Sequence, residues 1–305
     1  MARGEPLATG IKHFDKIILP FSKKGLESKV QHNIQTNATL INEAWCELFK
    51  NYNFKVGVSV DGPPELNSKR KDLHGFQTYF RILKGIEYLS DYNIPFSIIA
   101  VVSEDSLDSA TEIYEFAQDT GCKSLCINIE EKEGVNLGGV KSTEKVKEFW
   151  RQLYVAWRDS PSVRVREFDR LFRRMDFICK NKETIKNEML PLEVELIPTI
   201  SSSGEVILLS PEFADISGDK NYNFSVGNIL EEPLRLILER GIKSYYVQDF
   251  IKGVRQCREE CPYYSVCGGG QASNKYFEHK NINTSETQYC RNTKMALTDA
   301  ILELV

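Results

Sequence analysis

Apolar positions along the first 140 residues switch between two periods. Short β-type segments are VQHNIQTNAT (30–39), which starts as a strand and ends in polar loop residues, and KVGVSVDGP (55–63), a strand running into a turn. FSIIAVV (96–102) predicts a buried strand and SLCINIEE (124–131) a fourth. Helical spacing occupies the intervals: LATGIKHFDKIILPF (7–21), NEAWCELFKNYN (42–53), TYFRILKGIEYLSDY (78–92) and SATEIYEFAQDTG (109–121), the last with a glycine stop. Within 78–92 the spacing sets Tyr79, Leu83 and Ile86 on one face. Strands separated by single helices predict parallel βαβ units, in an open sheet or a barrel, with ligands at the carboxyl ends of the strands. Polar residues gather at three of those ends: Gln35, Thr36 and Asn37; Asp61 and Gly62; Glu130 and Glu131. Turn formation or helix capping explains any one of them. Three together point to a site.

After residue 140 the pattern changes. STEKVKEFWRQLYVAWR (142–158) predicts a long helix whose Trp150, Leu153, Tyr154 and Trp157 form a core or interface stripe. An arginine-rich helix follows near 164–178. VELIPTISSSGEVILLSPEF (194–213) predicts a β-hairpin turning near Gly204, and PLRLILERG (233–241) a helix leading into a cysteine-rich segment. The change of pattern places a boundary within 160–190.

Composition narrows the function class. The 305 residues are 41% hydrophobic, enough for one large core or two unequal domains. With 39 basic and 43 acidic side chains, global charge does not suggest nucleic acid as a partner. No apolar run reaches membrane-spanning length and no signal-peptide pattern opens the chain, so a cytoplasmic location without a membrane partner is expected. Four cysteines (Cys46, Cys122, Cys126, Cys179) are scattered. The other four, Cys257, Cys261, Cys267 and Cys290, are concentrated where a disulfide framework would spread its staples. Cys122 and Cys126, in or beside a buried strand, read as small core hydrophobes.

CREECPYYSVCGGG (257–270), with Cys290 beyond it, has the look of a soft-metal site. Its spacings of three and five differ from the paired knuckles of structural zinc sites. The glycine triplet beside Cys267 would let backbone amides approach sulfide, and Pro262 follows Cys261 as in ferredoxin Cys-Pro steps. Iron–sulfur, zinc and free structural cysteines all remain open at this point.

These segments, with others in a fixed order, resemble a known family. CREECPYYSVCGGG followed by SNKYFEH (273–279), GEVILLSPEF (204–213) followed by FSVGNIL (224–230), QTNAT (35–39), VGVSVDGP (56–63), NIEEKEGVN (128–136) and GEP (4–6) closely resemble radical S-adenosylmethionine (AdoMet) enzymes with a C-terminal SPASM-type module. Among these, the sequence is most similar to peptide maturases that form cyclophane crosslinks, and more broadly to the anaerobic sulfatase-maturase-like group. The resemblance implies an α/β chain. Residues 1–160 would form an incomplete radical SAM partial (β/α)6 TIM-like barrel, 161–190 a linking helical region and 191–305 the auxiliary iron–sulfur domain.

The resemblance also implies residue roles. Gly4, Glu5 and Pro6 match a Gly-Gly-Glu-Pro motif that binds the methionine amino group, Asn37 would line the AdoMet pocket and Ser59 would reach the carboxylate. Asp61 is the one catalytic candidate, a polar partner for substrate or cofactor without a base assignment. Cys257, Cys261, Cys267 and Cys290 would hold one auxiliary 4Fe–4S cluster. The expected partners are a ribosomal precursor peptide and an external one-electron reductant. The expected activity is cyclophane-type crosslinking of peptide side chains. The alternatives are an anaerobic sulfatase-maturating-type enzyme and a non-catalytic peptide-, Fe–S- or zinc-binding remnant.

Departures from the family pattern add expectations. The family's Cys-x3-Cys-x2-Cys loop precedes its Gly-Gly-Glu-Pro motif; here only Met1-Ala2-Arg3 does, and the triplet occurs nowhere in the chain. The expectation is an N-terminally truncated form lacking the first strand, most of the second and the radical-generating cluster. AdoMet and that cluster are then expected only in a full-length form, and this chain is expected to be inactive. Arg3 takes the first glycine position, and Ser210-Pro211-Glu212 stands where an early cysteine pair would be.

Overall fold

The structure is a computed structural model that describes residues 4–134, 136–181, 194–216 and 222–305. Arg3 and most of the second half of the linking region expected at 161–190 lie outside the described residues. The chain divides into two compact units, one of Arg3–Asn128 with Glu148–Asp169, the other of Ile129–Lys147 with Arg170–Val305. The segment after the fourth strand therefore groups with the C-terminal residues, a partition no local pattern signals.

In the N-terminal unit, β1 (Asn33–Thr36), β2 (Lys55–Ser59), β3 (Phe96–Val102), β4 (Ser124–Ile129) and β5 (Arg164–Val165) form one sheet in sequence order. The β1/β2, β2/β3 and β4/β5 ladders are parallel. The expected βαβ architecture is present, as an open five-stranded sheet with β1 and β5 at its edges. Helices α1 (Ile11–Lys23), α2 (Glu43–Asn51), α3 (Tyr79–Asp91) and α4 (Ala110–Asp119) fill the intervals. α2 begins where Asn42 Oδ1 accepts the Trp45 amide at 3.2 Å. α4 ends before Gly121, whose φ of 68° suits glycine.

Strand periodicity gives the sheet two unlike faces. Ile34, Thr36, Val56, Val58, Phe96, Ile98, Ala100 and Val102 are buried, whereas exposed Gln35 and half-buried Gly57, Ser59 and Ser97 alternate with them. Two details differ from the sequence reading. The buried face of α3 centres on Ile82, Gly85, Ile86 and Leu89, with Tyr79 and Leu83 at its flanks. The Arg164–Val165 pair is a strand, and the arginine-rich helix starts after it as α6 (Arg166–Lys180). Phe149, Trp150 and Tyr154 of α5 (Thr143–Asp159) are core and Trp157 is half-buried, with Trp150 and Tyr154 meeting Phe168 edge-on.

In the C-terminal unit, β6 (Thr199–Ile200) and β7 (Glu205–Ile207) form the expected hairpin, with Gly204 at φ 85°. A third strand, β8 (Ser225–Asn228), pairs antiparallel with β7. Helices α7 (Leu234–Gly241) and α8 (Tyr245–Glu260) follow, then a single helical turn, Tyr264–Cys267, and α9 (Ala272–His279). The chain closes on Gln288–Cys290, a π-helical turn Arg291–Met295 and α10 (Ala296–Leu302). An aromatic core joins the strands to α8 and α9: Phe213 stacks on Phe224 at 4.2 Å, and Tyr276 meets both edge-on. Burying aromatic faces at those angles fixes the helix axes. It thereby presents the end of α8 to the middle of α9. Among the described residues no helix is long and apolar enough to cross a membrane.

Candidate functional site

Two groups of chemistry-bearing residues form, one in each unit. In the N-terminal unit the centre is the half-buried carboxylate of Glu5. Its Oε1 accepts Thr36 Oγ1 at 2.6 Å and the Leu7 amide at 3.1 Å; its Oε2 accepts the Asn37 amide at 2.7 Å. An ionised carboxylate offers about four acceptor positions, so three are filled and one remains for an incoming cation. Gly4, at φ 115°, and Pro6, which opens a 3-10 turn, set the chain around Glu5.

The loop after β1 is held unusually firmly. Asn37 Oδ1 accepts the amide and hydroxyl of Thr39 at 3.0 and 2.7 Å, so Asn37 reaches Glu5 through its backbone while its side chain builds the turn. Ala38 adopts φ 59° and is fully buried, its amide donating to Thr36 Oγ1. A Cβ at Gly85 of α3 would lie 2.1 Å from the Ala38 carbonyl oxygen, so only glycine fits beneath this loop. Ser59 alternates with the buried positions of β2, and its Oγ accepts Gln35 Nε2 at 2.8 Å across Gly57. Glu5, Asn37 and Ser59 thus belong to the N-terminal unit, with Glu5 and Asn37 in direct contact and Ser59 one hydrogen bond from Gln35.

Asp61 plays a different part. Arg70 clasps it with both arms, Nε to Oδ2 and Nη2 to Oδ1, each at 2.6 Å, while the Val101 amide donates to Oδ1 at 2.9 Å. Its own amide donates to the fully buried Asn67, which in turn donates to the carbonyls of Gly62 and Pro63. These contacts tie the end of β2 to β3 and to the 62–78 loop. The arrangement makes Asp61 a clamp, and its charge is compensated in place.

In the C-terminal unit, Cys257, Cys261, Cys267 and Cys290 line one cavity, together with Gly269 and Ser285. Cys257 lies near the end of α8, Cys261 caps it, Cys267 closes the helical turn and Cys290 opens the last helical run. Gly268, Gly269 and Gly270 have φ of 78°, 108° and 77°. A Cβ at Gly269 would meet Val254 at 2.7 Å, and one at Gly270 would sit 3.4 Å from Cys290 Sγ. The triplet is therefore required by backbone shape and by closeness to sulfur.

Cys257 Sγ donates to the Ser285 carbonyl at 2.9 Å, and Thr287 Oγ1 donates to Cys290 Sγ at 3.1 Å. Burial pushes the Cys290 thiol up to about 11, with Cys267 adding to the effect, and burial also raises Cys257 and Cys261. A buried lysine, Lys275 of α9, donates to Cys257 Sγ at 3.5 Å. Its burial pulls the ammonium below the usual lysine range, opposed by Cys257 and Cys290.

The donor set bears on which group it can hold. Among the described residues no three Cys, His, Asp or Glu side chains converge as ligands of one ion would. Four thiols lining a shared cavity beside a side-chain-free glycine cradle are soft donors of the kind that hold zinc or an iron–sulfur cluster.

A second cavity of this unit, about 350 Å³, is lined by Glu131, Lys141, Glu278, His279 and Tyr289 among others. Glu131 Oε2 is buried there without a hydrogen-bond partner. Burial, reinforced by Glu133, Glu212 and Glu278, pushes the Glu131 carboxyl up to about 8. Of the residues that matter here, Arg70 and Lys275 carry no sequence signal, being ordinary surface types by composition; Thr36 and Glu131 stood among the polar strand ends.

Comparisons with known proteins point to a family. Residues 4–117 match the family model described as the radical SAM superfamily. An uncharacterized protein of Synechocystis sp. is 33% identical over 299 residues, covering 94% of this chain and 74% of that protein. A cysteine-type anaerobic sulfatase-maturating enzyme of Clostridium perfringens is 25% identical over 282 residues, covering 88% of this chain and 71% of the enzyme. The solved structure of native anSMEcpe with bound AdoMet and Cp18Cys peptide superposes with a TM-score of 0.73 at 21% identity, covering 99% of this chain and 82% of that one.

Proposed function

Because the chain belongs to the radical SAM superfamily and is related to the anaerobic sulfatase-maturating enzymes, we propose that it is a peptide maturase that binds AdoMet at Glu5 and an iron–sulfur cluster at its four clustered cysteines. The observation that carries this reading is the Glu5 carboxylate, held by Leu7, Thr36 and Asn37 with one acceptor position left. An ammonium is the group that completes it, and the amino group of AdoMet is the candidate. Gly4 and Pro6 shape that approach, and Ser59 supplies a hydroxyl for the carboxylate. Asp61 keeps the β2 end in place through Arg70.

Cys257, Cys261, Cys267 and Cys290 would hold an auxiliary 4Fe–4S cluster. When bound, AdoMet is the source of a carbon radical and the cluster a reservoir for single electrons, drawn from an external reductant in a reducing cytoplasm. Residues 1–305 contain no Cys-x3-Cys-x2-Cys ligand set, so no step of radical generation is assigned to them.

The substrate reading follows the comparisons. Sulfatase-type maturation is better supported than the cyclophane crosslinking expected from sequence, because the Clostridium perfringens relative is named a cysteine-type anaerobic sulfatase-maturating enzyme. Equilibrium dialysis with labelled AdoMet tests the site. Saturable binding should weaken at least tenfold in Glu5→Gln, the loss of about one charge-assisted hydrogen bond. Equal binding by both proteins contradicts the assignment; no binding by the wild type contradicts it for this chain and favours the expectation that AdoMet binds only in a full-length form. Fluorescence anisotropy then separates the substrates: tighter binding of a cysteine-bearing sulfatase peptide supports the reading, and tighter binding of an aromatic-rich precursor peptide favours crosslinking.

A further inference from the structure

Lys275 is buried to 0% exposure in the middle of α9, an unusual place for a lysine without a carboxylate partner. Among the described residues its Nζ has one hydrogen-bond acceptor, Cys257 Sγ at 3.5 Å, and the Phe250 ring lies 5.4 Å away. An ammonium carries three donors, so two of them have no acceptor among the described residues. The stem passes close to Gly270, where an added Cβ would lie 3.4 Å from Cys290 Sγ and 3.8 Å from Lys275 Cε. The aromatic core fixes this position, since Tyr276 and Phe277 beside it on α9 are buried. The lysine cannot swing out to water without dismantling that packing.

We propose that Lys275 is a positioning residue whose fixed positive charge tunes the reduction potential of the cluster at the four cysteines. The inference rests on the reading of those cysteines as an iron–sulfur site. Thiolate-ligated clusters carry net negative charge, and each added electron makes them more negative. A buried cation that also donates to a ligand sulfur favours the reduced form and raises the potential. Packing alone does not account for it, because a methionine would fill the same slot beside Phe250 without burying charge.

The test uses the full chain, reconstituted anaerobically with iron and sulfide, as wild type, Lys275→Met and Lys275→Gln. Iron per chain and near-ultraviolet dichroism are recorded first, then the midpoint potential by electron-paramagnetic-resonance titration. The expected result is wild-type-like iron with the reduction equilibrium shifted at least tenfold towards the oxidised form in both variants, about 59 mV for a one-electron couple. Natively folded variants that lose iron overturn the tuning role, because Lys275 then serves assembly of the site and not its potential. Loaded variants with an unchanged midpoint overturn that role too, and so does loss of native dichroism in both, which would make Lys275 a packing residue. A wild type that takes up no iron contradicts the cluster reading itself, and that outcome is read before any variant is compared.

Discussion

The substitution Glu131→Gln should stabilise the folded protein at alkaline pH and leave it unchanged in mild acid. The Glu131 carboxyl is pushed from 4.5 up to about 8, first by burial and then by the carboxylates of Glu133, Glu212 and Glu278. In the unfolded chain it ionises near its ordinary value. Between those two limits the folded state therefore holds a proton that the unfolded state has released, and stability falls as pH rises through that window. It levels off above about pH 8, where both states are ionised. At ~1.4 kcal/mol per pH unit the full shift corresponds to at most about 5 kcal/mol. Glu131 is only partly shielded from water, so about 2–4 kcal/mol is the expected loss.

A glutamine at this position has the same shape, cannot ionise and escapes the loss. Urea unfolding of the metal-free, reduced protein at about pH 4 and about pH 9 measures the difference. The two proteins should match at the lower pH, and the variant should be ahead by about 2–4 kcal/mol at the higher. Wild-type and variant stabilities that run parallel across that range would show that Glu131 ionises normally, and the reasoning from its burial would fail.

The Asp61–Arg70 pair, largely buried, should behave as a structural clamp. Removing either partner should cost about 2–4 kcal/mol, and a double-mutant cycle should return at least about 1 kcal/mol of coupling; additive losses would refute the clamp. Gly85→Ala should cost about 1–3 kcal/mol and weaken AdoMet binding, because its methyl would press on the Ala38 carbonyl behind Asn37; an unchanged melting temperature would argue against that contact. Gly270→Ala combines a left-handed backbone with a methyl against Cys290 Sγ, so iron retention should fall while the fold of β6–β8 persists; full retention would contradict the cradle.

Much of the N-terminal unit is legible because its signals are local. Every second residue of Phe96–Val102 is buried, and the apolar alternation of FSIIAVV says so directly. β5 escapes notice because two residues cannot establish a period and the arginine-rich helical pattern runs straight through them. β8 hides behind Gly227 and polar neighbours, and its pairing with β7 is irregular at Val206/Ile207. The family motifs locate Glu5 and Asn37, but their contact spans 32 residues of sequence, and which atom of Asn37 does the work is a matter of turn geometry. Asp61 reads as a polar partner for substrate or cofactor, and its pairing with Arg70, nine residues on, carries no sequence signal. Lys275 is the least legible. A lysine in SNKYFEH looks solvent-facing, and only the aromatic packing on either side of α9 turns it inward.

The claim on which the account turns is that Cys257, Cys261, Cys267 and Cys290 form one iron–sulfur site. Counting iron after anaerobic reconstitution, with Cys261→Ala alongside, tests it most directly. The account predicts roughly four irons per chain, lost in the variant. No iron, or a single tightly held zinc in its place, would contradict it.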